Sequence, residues 1–153
     1  MLAFAVITEI PFDLFSSRSF FEPNWNNILF TFVLVLLSLW AIDALKEKLP
    51  RIAWYPVSFV IVAVTCLAAM LTGLDYEHHA ILTGYFFYIF HNRKGLAIPF
   101  SFISMYKEPW ALLGFGLTLT YNGERGKQNK WFNYAFYPAH MLVLGLFRLW
   151  LNI

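Results

Sequence analysis

Residues 28–45 read ILFTFVLVLLSLWAIDAL, and Asp43 is the only charged residue in this stretch. A second stretch, residues 53–72, reads AWYPVSFVIVAVTCLAAMLT and contains no charged residue. A helix of about 20 apolar residues, at ~1.5 Å rise per residue, matches the thickness of the hydrocarbon layer of a membrane. Because lipid offers no partners to backbone polar groups, such a stretch must be helical. The two stretches therefore predict two transmembrane helices.

The composition of the whole chain also favours a membrane protein. Of 153 residues, 59% are hydrophobic and only 13% are charged, and the mean hydropathy is +0.58. A soluble domain carries about 25% charged residues, which cover its surface. The net charge of +2 is distributed over several loops, so it forms no basic stripe for nucleic acid. We therefore expect membrane lipids as partners and no nucleic acid.

Shorter apolar segments complete the chain, and Pro99 interrupts one of them. These segments cover residues 1–10, 80–90, 96–106, 110–120 and 132–153. Their length alone is ambiguous, since core helices and re-entrant segments are equally short. Because two strong spans accompany them, we expect an all-α, polytopic transmembrane bundle of about six or seven short hydrophobic segments. Residues 1–153 are expected to form a single membrane domain.

The basic residues predict an orientation for this bundle. They cluster in residues 46–51, 91–95 and 121–131. If residues 96–120 formed one span, the third cluster would lie on the opposite side from the first two, against the positive-inside rule. We therefore predict that the chain returns at residues 105–109. All three basic loops then lie on the cytoplasmic face.

Two carboxylates flank a proline in the first segment. Glu9 and Asp13 lie on either side of Pro11, and proline cannot continue the hydrogen-bond ladder of a helix. We expect the helix to break there and to present both carboxylates at a membrane interface. An ionisable side chain at membrane depth is a functional candidate, and two carboxylates can act as acid and base. Equally, they can cap helices or bind Arg148 or Arg125.

The last segment contains a histidine in an apolar setting. At about 100° per residue, Tyr137, His140 and Arg148 fall on one face of a helix, which we expect to face the bundle interior. Histidine exchanges protons near neutral pH, so His140 is a candidate general base for an acyl acceptor. The alternative is a neutral histidine that is hydrogen-bonded to another helix.

A glycine-punctuated loop, YNGERG at residues 121–126, precedes this segment. Its Asn-Gly pair is typical of a tight turn. The loop also offers Tyr121, Asn122 and Arg125 as ligands for an anionic cofactor such as the phosphates of coenzyme A.

Several common sequence motifs are absent from the chain. The chain has no GxGxxG, Walker or HExxH motif, so nothing supports a Rossmann enzyme, a P-loop NTPase or a zinc protease. Cys66 is the only cysteine, and it has no disulfide partner in the chain. Contiguous His78 and His79 are not expected to share one ion. We therefore predict no metal site.

Five motifs follow one another along nearly the whole chain. They are FAVITEIPFDL at residues 4–14, NILFT at 27–31, DY at 75–76 with FYIF at 87–90, YNGERG at 121–126 and FYPAHML at 136–142. In order and approximate spacing they resemble the TraX family. That family is named for the protein that acetylates the amino terminus of conjugative F-pilin subunits, and it is grouped with the integral-membrane acyltransferases.

The resemblance implies an acyltransferase of the bacterial inner membrane. Acetyl-coenzyme A would be the donor, and the acceptor would be an amine or hydroxyl of a membrane-associated molecule such as pilin. The family favours polar residues at Glu9, Asp13, Asp75, Tyr121, Asn122, Arg125 and His140. His140 would then be a base or proton relay, and residues 121–126 would lie near the donor. Glu9 and Asp13 would orient the acceptor or pair with Arg148.

The chain also departs from the family pattern. Family members are expected to carry further upstream helices, including one with an Asp-His pair, whereas Met1 falls inside the first motif. We therefore expect the chain to correspond to the central and C-terminal part of the family domain. A catalytically inactive membrane scaffold is the alternative function. A small transporter is less favoured, because residues 53–72 offer few polar side chains.

Overall fold

The structure, a computed structural model, describes residues 1–22, 24–124, 126–127 and 129–151. Within these residues the fold is all-α, as predicted, with no β-strand. The helices are α1 (Leu2–Ser16), α2 (Ile28–Lys46), α3 (Arg51–Leu71), α4 (Glu77–Ile89), α5 (Lys94–Ser104), α6 (Ala111–Leu119) and α7 (Lys130–Leu151).

Two of these helices, α2 and α3, are long and apolar enough to cross a membrane, by length and composition. Only 17% of the apolar window of α2 and 22% of that of α3 are buried, whereas the core helix of a soluble protein is mostly buried. The accessible surface of 10766 Å² also exceeds the roughly 8,000 Å² of a compact soluble monomer of this mass. No other helix in the described ranges meets the criterion, so the polytopic bundle stays a prediction.

Helices α2, α3 and α4 pack together around the largest hydrophobic core. Ile42 and Ile81 are fully buried in it, and the indole nitrogen of buried Trp54 donates to the carbonyl of Ile42 at 2.9 Å. Helices α2 and α4 approach closely because Gly84 has no side chain. A Cβ at Gly84 would lie 2.6 Å from Cγ1 of Val35.

Helices α1 and α7 form a second unit of packing and run parallel. Phe4 stacks on Tyr134 with ring centroids 4.7 Å apart, and Gly145 lies against Leu14 near the other end of the pair. Among the helices of the described part, α7 packs against α1 only, and α1 in turn packs against α2. The contact between α1 and α2 therefore joins the two units.

The predicted helix break at Pro11 is wrong, because α1 continues through this residue to Ser16. Proline costs the helix one hydrogen bond, but α7 packs against α1 on both sides of Pro11, as the Phe4 and Leu14 contacts show. Pro99 likewise lies inside α5 and does not interrupt it. Packing therefore offsets the local preference of proline.

The predicted return of the chain at residues 105–109 is confirmed. Helix α5 ends at Ser104 and α6 begins at Ala111. The Lys94 ammonium, at the start of α5, donates to the carbonyl of Tyr121 just after α6 at 2.8 Å. The start of α5 and the end of α6 therefore lie side by side, as expected for two helices joined by a turn.

We expect Gly84→Ala to lower the free energy of unfolding by about 1–3 kcal/mol, because the added methyl group overlaps Val35. Gly114→Ala in α6 is the matched control, since nothing lies within 4 Å of its Cβ position. It should be neutral or stabilise the helix by about 1 kcal/mol. Thermal unfolding in detergent measures both. Equal effects of the two substitutions would contradict the close crossing of α2 and α4.

Candidate functional site

The two ends of the helices carry different charges. We call acidic end the part formed by residues 17–22, 24–27, 72–77 and 105–110. Its acidic residues, Glu22, Asp75, Glu77 and Glu108, outnumber its basic ones, Arg18 and Lys107. We call basic end the part formed by residues 46–51, 90–94, 120–124 and 126–127. Its basic residues, Lys46, Lys48, Arg51, Arg93, Lys94 and Lys127, outnumber its acidic ones, Glu47 and Glu124. Among the predicted site residues, Asp75 lies at the acidic end, and Tyr121 and Asn122 lie at the basic end. The others lie on α1 and α7: Glu9, Asp13, Tyr137, His140 and Arg148.

A pinned loop forms the centre of the acidic end. The backbone N–H of Asn26 donates to the carbonyl of Gly73, and that of Asp75 donates to the carbonyl of Asn26, both at 3.1 Å. Gly73 has φ +62°, and a Cβ there would lie 2.2 Å from the Asn24 carbonyl oxygen, so only glycine fits. Asp75 is therefore held in a fixed position beside the start of α2.

Glu9 is held in place by Asn27, the residue that precedes α2. Its carboxylate accepts hydrogen bonds from the backbone N–H of Asn27 at 3.2 Å and from the Asn27 side-chain amide. The same amide donates to the carbonyl of Ala5 at 2.8 Å, and its oxygen caps α2 by accepting from Leu29 N–H at 2.9 Å. Asn27 is fully buried, so all these groups depend on one another.

Asp13 lies one turn beyond Glu9 and is 1% exposed. One carboxylate oxygen accepts from the backbone N–H of Glu22 at 2.9 Å, and the other has no hydrogen-bond partner in the described part. The sequence had predicted that Glu9 and Asp13 lie at a helix break, and this is wrong because both lie within continuous α1. Arg148 donates to the carbonyl of Ser16 at 2.8 Å and to that of Phe15, at the end of α1. Its pairing with the two carboxylates stays a prediction.

Helix α7 contributes Tyr137 and His140. Tyr137 is half-buried and lies within electrostatic range of Glu9 and Asp75, which agrees with the expected inward orientation. His140 is also half-buried, but Nδ1 bonds to the carbonyl of Phe136 in its own helix at 2.8 Å. Its ring stacks on Phe136 and meets the Tyr137 ring edge-on at 5.3 Å. Within the described ranges, His140 does not form the hydrogen bond to another helix that the alternative interpretation predicted.

The loop expected near the donor lies at the basic end. Asn122 closes a tight turn by accepting the backbone N–H of Glu124 at 2.9 Å, and the Tyr121 carbonyl binds Lys94. Arg125 lies outside the described residues. This loop and the acidic end are separated by the length of α4, 13 residues or about 20 Å. The structure therefore does not bring the predicted donor and acceptor residues together.

A cavity of about 480 Å³ opens at the acidic end. One wall is residues 73–77, and the other is formed by Met105, Lys107 and Glu108. His79 also lines it, a residue that sequence reasoning had considered only as a candidate metal ligand. Its position two residues beyond Glu77 was the available signal, but its cavity neighbours lie almost 30 positions further along the chain.

The electrostatics of Asp75 follow from this position. Burial, together with the negative charge of Glu108, raises the pKa of Asp75 above its ordinary value, although the backbone N–H of Tyr76 opposes this shift. Across the residues that the structure describes, no group of three His, Cys, Asp or Glu side chains could hold a metal ion.

The fold and the site define an all-helical protein with two helices able to cross a membrane and a carboxylate-rich cavity at one end. The chain belongs to the TraX family, because the family model described as TraX protein matches residues 1–148. This confirms the family inferred from the five motifs, and it supports a pilin-associated role in conjugal transfer. Searches of curated proteins and of solved structures find no significant match.

We expect Asp75→Asn to stabilise the protein at neutral pH. Because the folded state raises the pKa of Asp75, ionisation there costs stability as pH rises above the ordinary value of 3.8. Asparagine keeps the acceptor for Tyr76 N–H and removes the charge. The difference in Tm between variant and wild type should be near zero at about pH 4 and grow toward about pH 7.

Thermal unfolding in detergent across this range measures the difference, with Glu124→Gln at the basic end as a control for charge removal. A variant that becomes less stable than wild type as pH rises would show that the fold needs the Asp75 charge.

Proposed function

We propose that this protein is a polytopic membrane acyltransferase that transfers acetyl from acetyl-coenzyme A to an amine or hydroxyl of a membrane-associated acceptor. By family resemblance the acceptor is the amino terminus of pilin. The observation that carries the proposal is the convergence of Glu9 from α1, Asp75 from the loop after α3 and Tyr137 from α7 at the acidic end. Polar side chains are costly near a membrane, so their convergence from three elements favours a binding or catalytic use.

The proposed roles of the residues come from the family resemblance. Glu9 and Asp13 are carboxylates on one face of α1, suited to orient the acceptor. His140 is the proposed base or proton relay, one turn beyond Tyr137. Because the carbonyl of Phe136 can only accept, the Nδ1 of His140 carries the proton in that bond. Nε2 is then the nitrogen that takes a proton from the acceptor.

The donor is proposed to bind at the basic end, near Tyr121, Asn122 and Arg125. The positive-inside rule places this end in the cytoplasm, where acetyl-coenzyme A is available, and its basic residues suit the donor phosphates. The acceptor residues lie about 20 Å away along α4. The proposal therefore requires the thioester end of acetyl-coenzyme A to reach from the basic end toward the acidic end. There the thioester bond would break as the bond to the acceptor nitrogen or oxygen forms, and coenzyme A would leave as the thiol.

That same separation favours a second candidate function, a pilin-associated membrane scaffold without catalysis. Within the described part, α7 with His140 does not pack against α6, which leads into the donor loop. A scaffold needs no contact between the two groups. It predicts no binding of acetyl-coenzyme A and no effect of substituting His140.

We expect His140→Ala to abolish acetyl transfer and to leave membrane insertion unchanged, since the residue makes its hydrogen bond within its own helix. Mass spectrometry of a synthetic pilin amino-terminal peptide incubated with acetyl-coenzyme A measures transfer. Val143→Ala on the same helix is the control, because this side chain is 63% exposed and apolar. Full activity of His140→Ala would remove this residue from the mechanism. Absence of both transfer and acetyl-coenzyme A binding in the wild type would favour the scaffold.

The orientation can be tested with single cysteines in a Cys66→Ser background. Cysteines at Lys48 and Asn92 should react with a membrane-impermeant maleimide from the cytoplasmic side, because basic loops are retained there. A cysteine at Lys107 should react only from the opposite side, since it lies in the turn between α5 and α6. Labelling of all three positions from one side would contradict the proposed topology.

A further inference from the structure

The cavity at the acidic end has the size of a small-molecule site. Its volume of about 480 Å³ falls within the roughly 300–1,000 Å³ of ligand pockets. Glu9, Asp13 and His140 do not line it, so it is a separate feature from the residues assigned to transfer. It adjoins them through Asp75, which lines the cavity and lies within electrostatic range of Tyr137.

His79 lines this cavity, and its imidazole ring is held by contacts with neighbouring residues. Its Nδ1 makes a short hydrogen bond to the carbonyl of Ser104 at the end of α5. A carbonyl can only accept, so Nδ1 carries the proton and Nε2 of the neutral ring is an acceptor. In the part of the chain that the structure describes, Nε2 has no hydrogen-bond partner. Edge-on contact with the Tyr106 ring, at 5.9 Å between centroids, further fixes the imidazole.

The charges that line the cavity favour a cation. Asp75, Glu77 and Glu108 contribute three carboxylates, and Lys107 is the only ammonium among the lining residues. Carboxylates therefore outnumber ammonium groups by three to one, and a ligand with several N–H donors and a positive charge complements this set. A primary ammonium group has both properties.

The backbone around the cavity is held in a costly conformation. Tyr76 has φ +61° and Glu77 has φ +39°, backbone angles that residues other than glycine rarely adopt. The backbone pairing of residues 73–75 with Asn26 holds this conformation in place. Such strain persists where the surroundings over-determine it, and it is concentrated at ligand sites. The carboxylates of residues 75–77 are thereby presented to the cavity by a rigid segment.

We propose that this cavity binds the primary amino group of the acyl acceptor. In this arrangement Nε2 of His79 accepts a hydrogen bond from one N–H of the amino group and positions the group for transfer. The inference rests on the proposed acyltransferase function, since it identifies where the acceptor docks. His79 is a binding residue in this scheme, and the proton transfer stays with His140. Asp75 and Glu108 supply the charge complement.

Binding can be measured without the acyl donor. The full chain, purified in detergent, is titrated with alaninamide by calorimetry, and N-acetylalaninamide is the matched ligand without an ammonium group. We expect binding of alaninamide only. His79→Gln should weaken it about tenfold, as expected for one hydrogen bond to a charged group. His91→Gln is the matched control, because His91 lies beyond the opposite end of α4 and does not line the cavity. Equal binding of both ligands would overturn the proposal.

Kinetics with an acceptor peptide separate positioning from proton transfer. His79→Gln should raise KM for the acceptor about tenfold and leave kcat nearly unchanged, the signature of a lost binding contact. A fall in kcat at constant KM would overturn the binding role. If His79→Gln unfolds, Glu108→Gln in the exposed turn replaces it and should weaken alaninamide binding several-fold; unchanged binding would count against the proposal.

The two proposals fail in different ways. If the wild type binds alaninamide in a His79-dependent manner but transfers no acetyl group, the cavity assignment stands and the enzyme function falls. If it transfers acetyl while His79→Gln binds alaninamide and turns over as the wild type does, the function stands and the cavity assignment falls.

Discussion

The structure depends on one buried asparagine. Asn27 connects the α1–α7 pair to the core of α2, α3 and α4, and the contact between α1 and α2 is the only helix packing between these units in the described part. Its amide donates to Ala5 and Glu9, and its oxygen caps α2. A buried amide without partners costs about 1–3 kcal/mol, so these bonds form together or not at all. The relative position of the two units is thereby tied to one side chain.

This junction also forms the acidic end. Because Asn27 fixes Glu9 and the preceding residue Asn26 pairs with the loop of Asp75, carboxylates from distant parts of the chain are held close together. Burial, together with the negative charge of Glu108, raises the pKa of Asp75, so ionisation of this carboxyl group opposes the arrangement. The backbone hydrogen bonds of Asn26 and Asn27 offset that cost. Charged groups held in unfavourable surroundings are typical of functional sites.

The separation of the two ends sets the requirement for any enzymatic function. Basic residues suited to an anionic donor lie at one end of α4, and the carboxylates and His79 suited to an amine lie at the other. A bundle whose helices have the length of α2 and α3 can place two such sites on opposite faces of a membrane. An acyltransferase with this arrangement has to move an acyl group between faces, whereas a scaffold for pilin does not.

Sequence by itself determined the helical class, the two long spans, the return between α5 and α6 and the family. These depend on local apolar length, on charge in loops and on ordered motifs, all of which are readable without contacts. Tertiary packing decided the rest. Helix α1 continues through Pro11 because α7 packs against α1 on both sides of this residue. Gly84 is needed at its position only because Val35 of α2 lies opposite it. His79 joins a cavity because the turn after α5, more than 20 positions away, returns to it. Such contacts link residues whose separation in sequence carries no local signal, so only the folded chain specifies them.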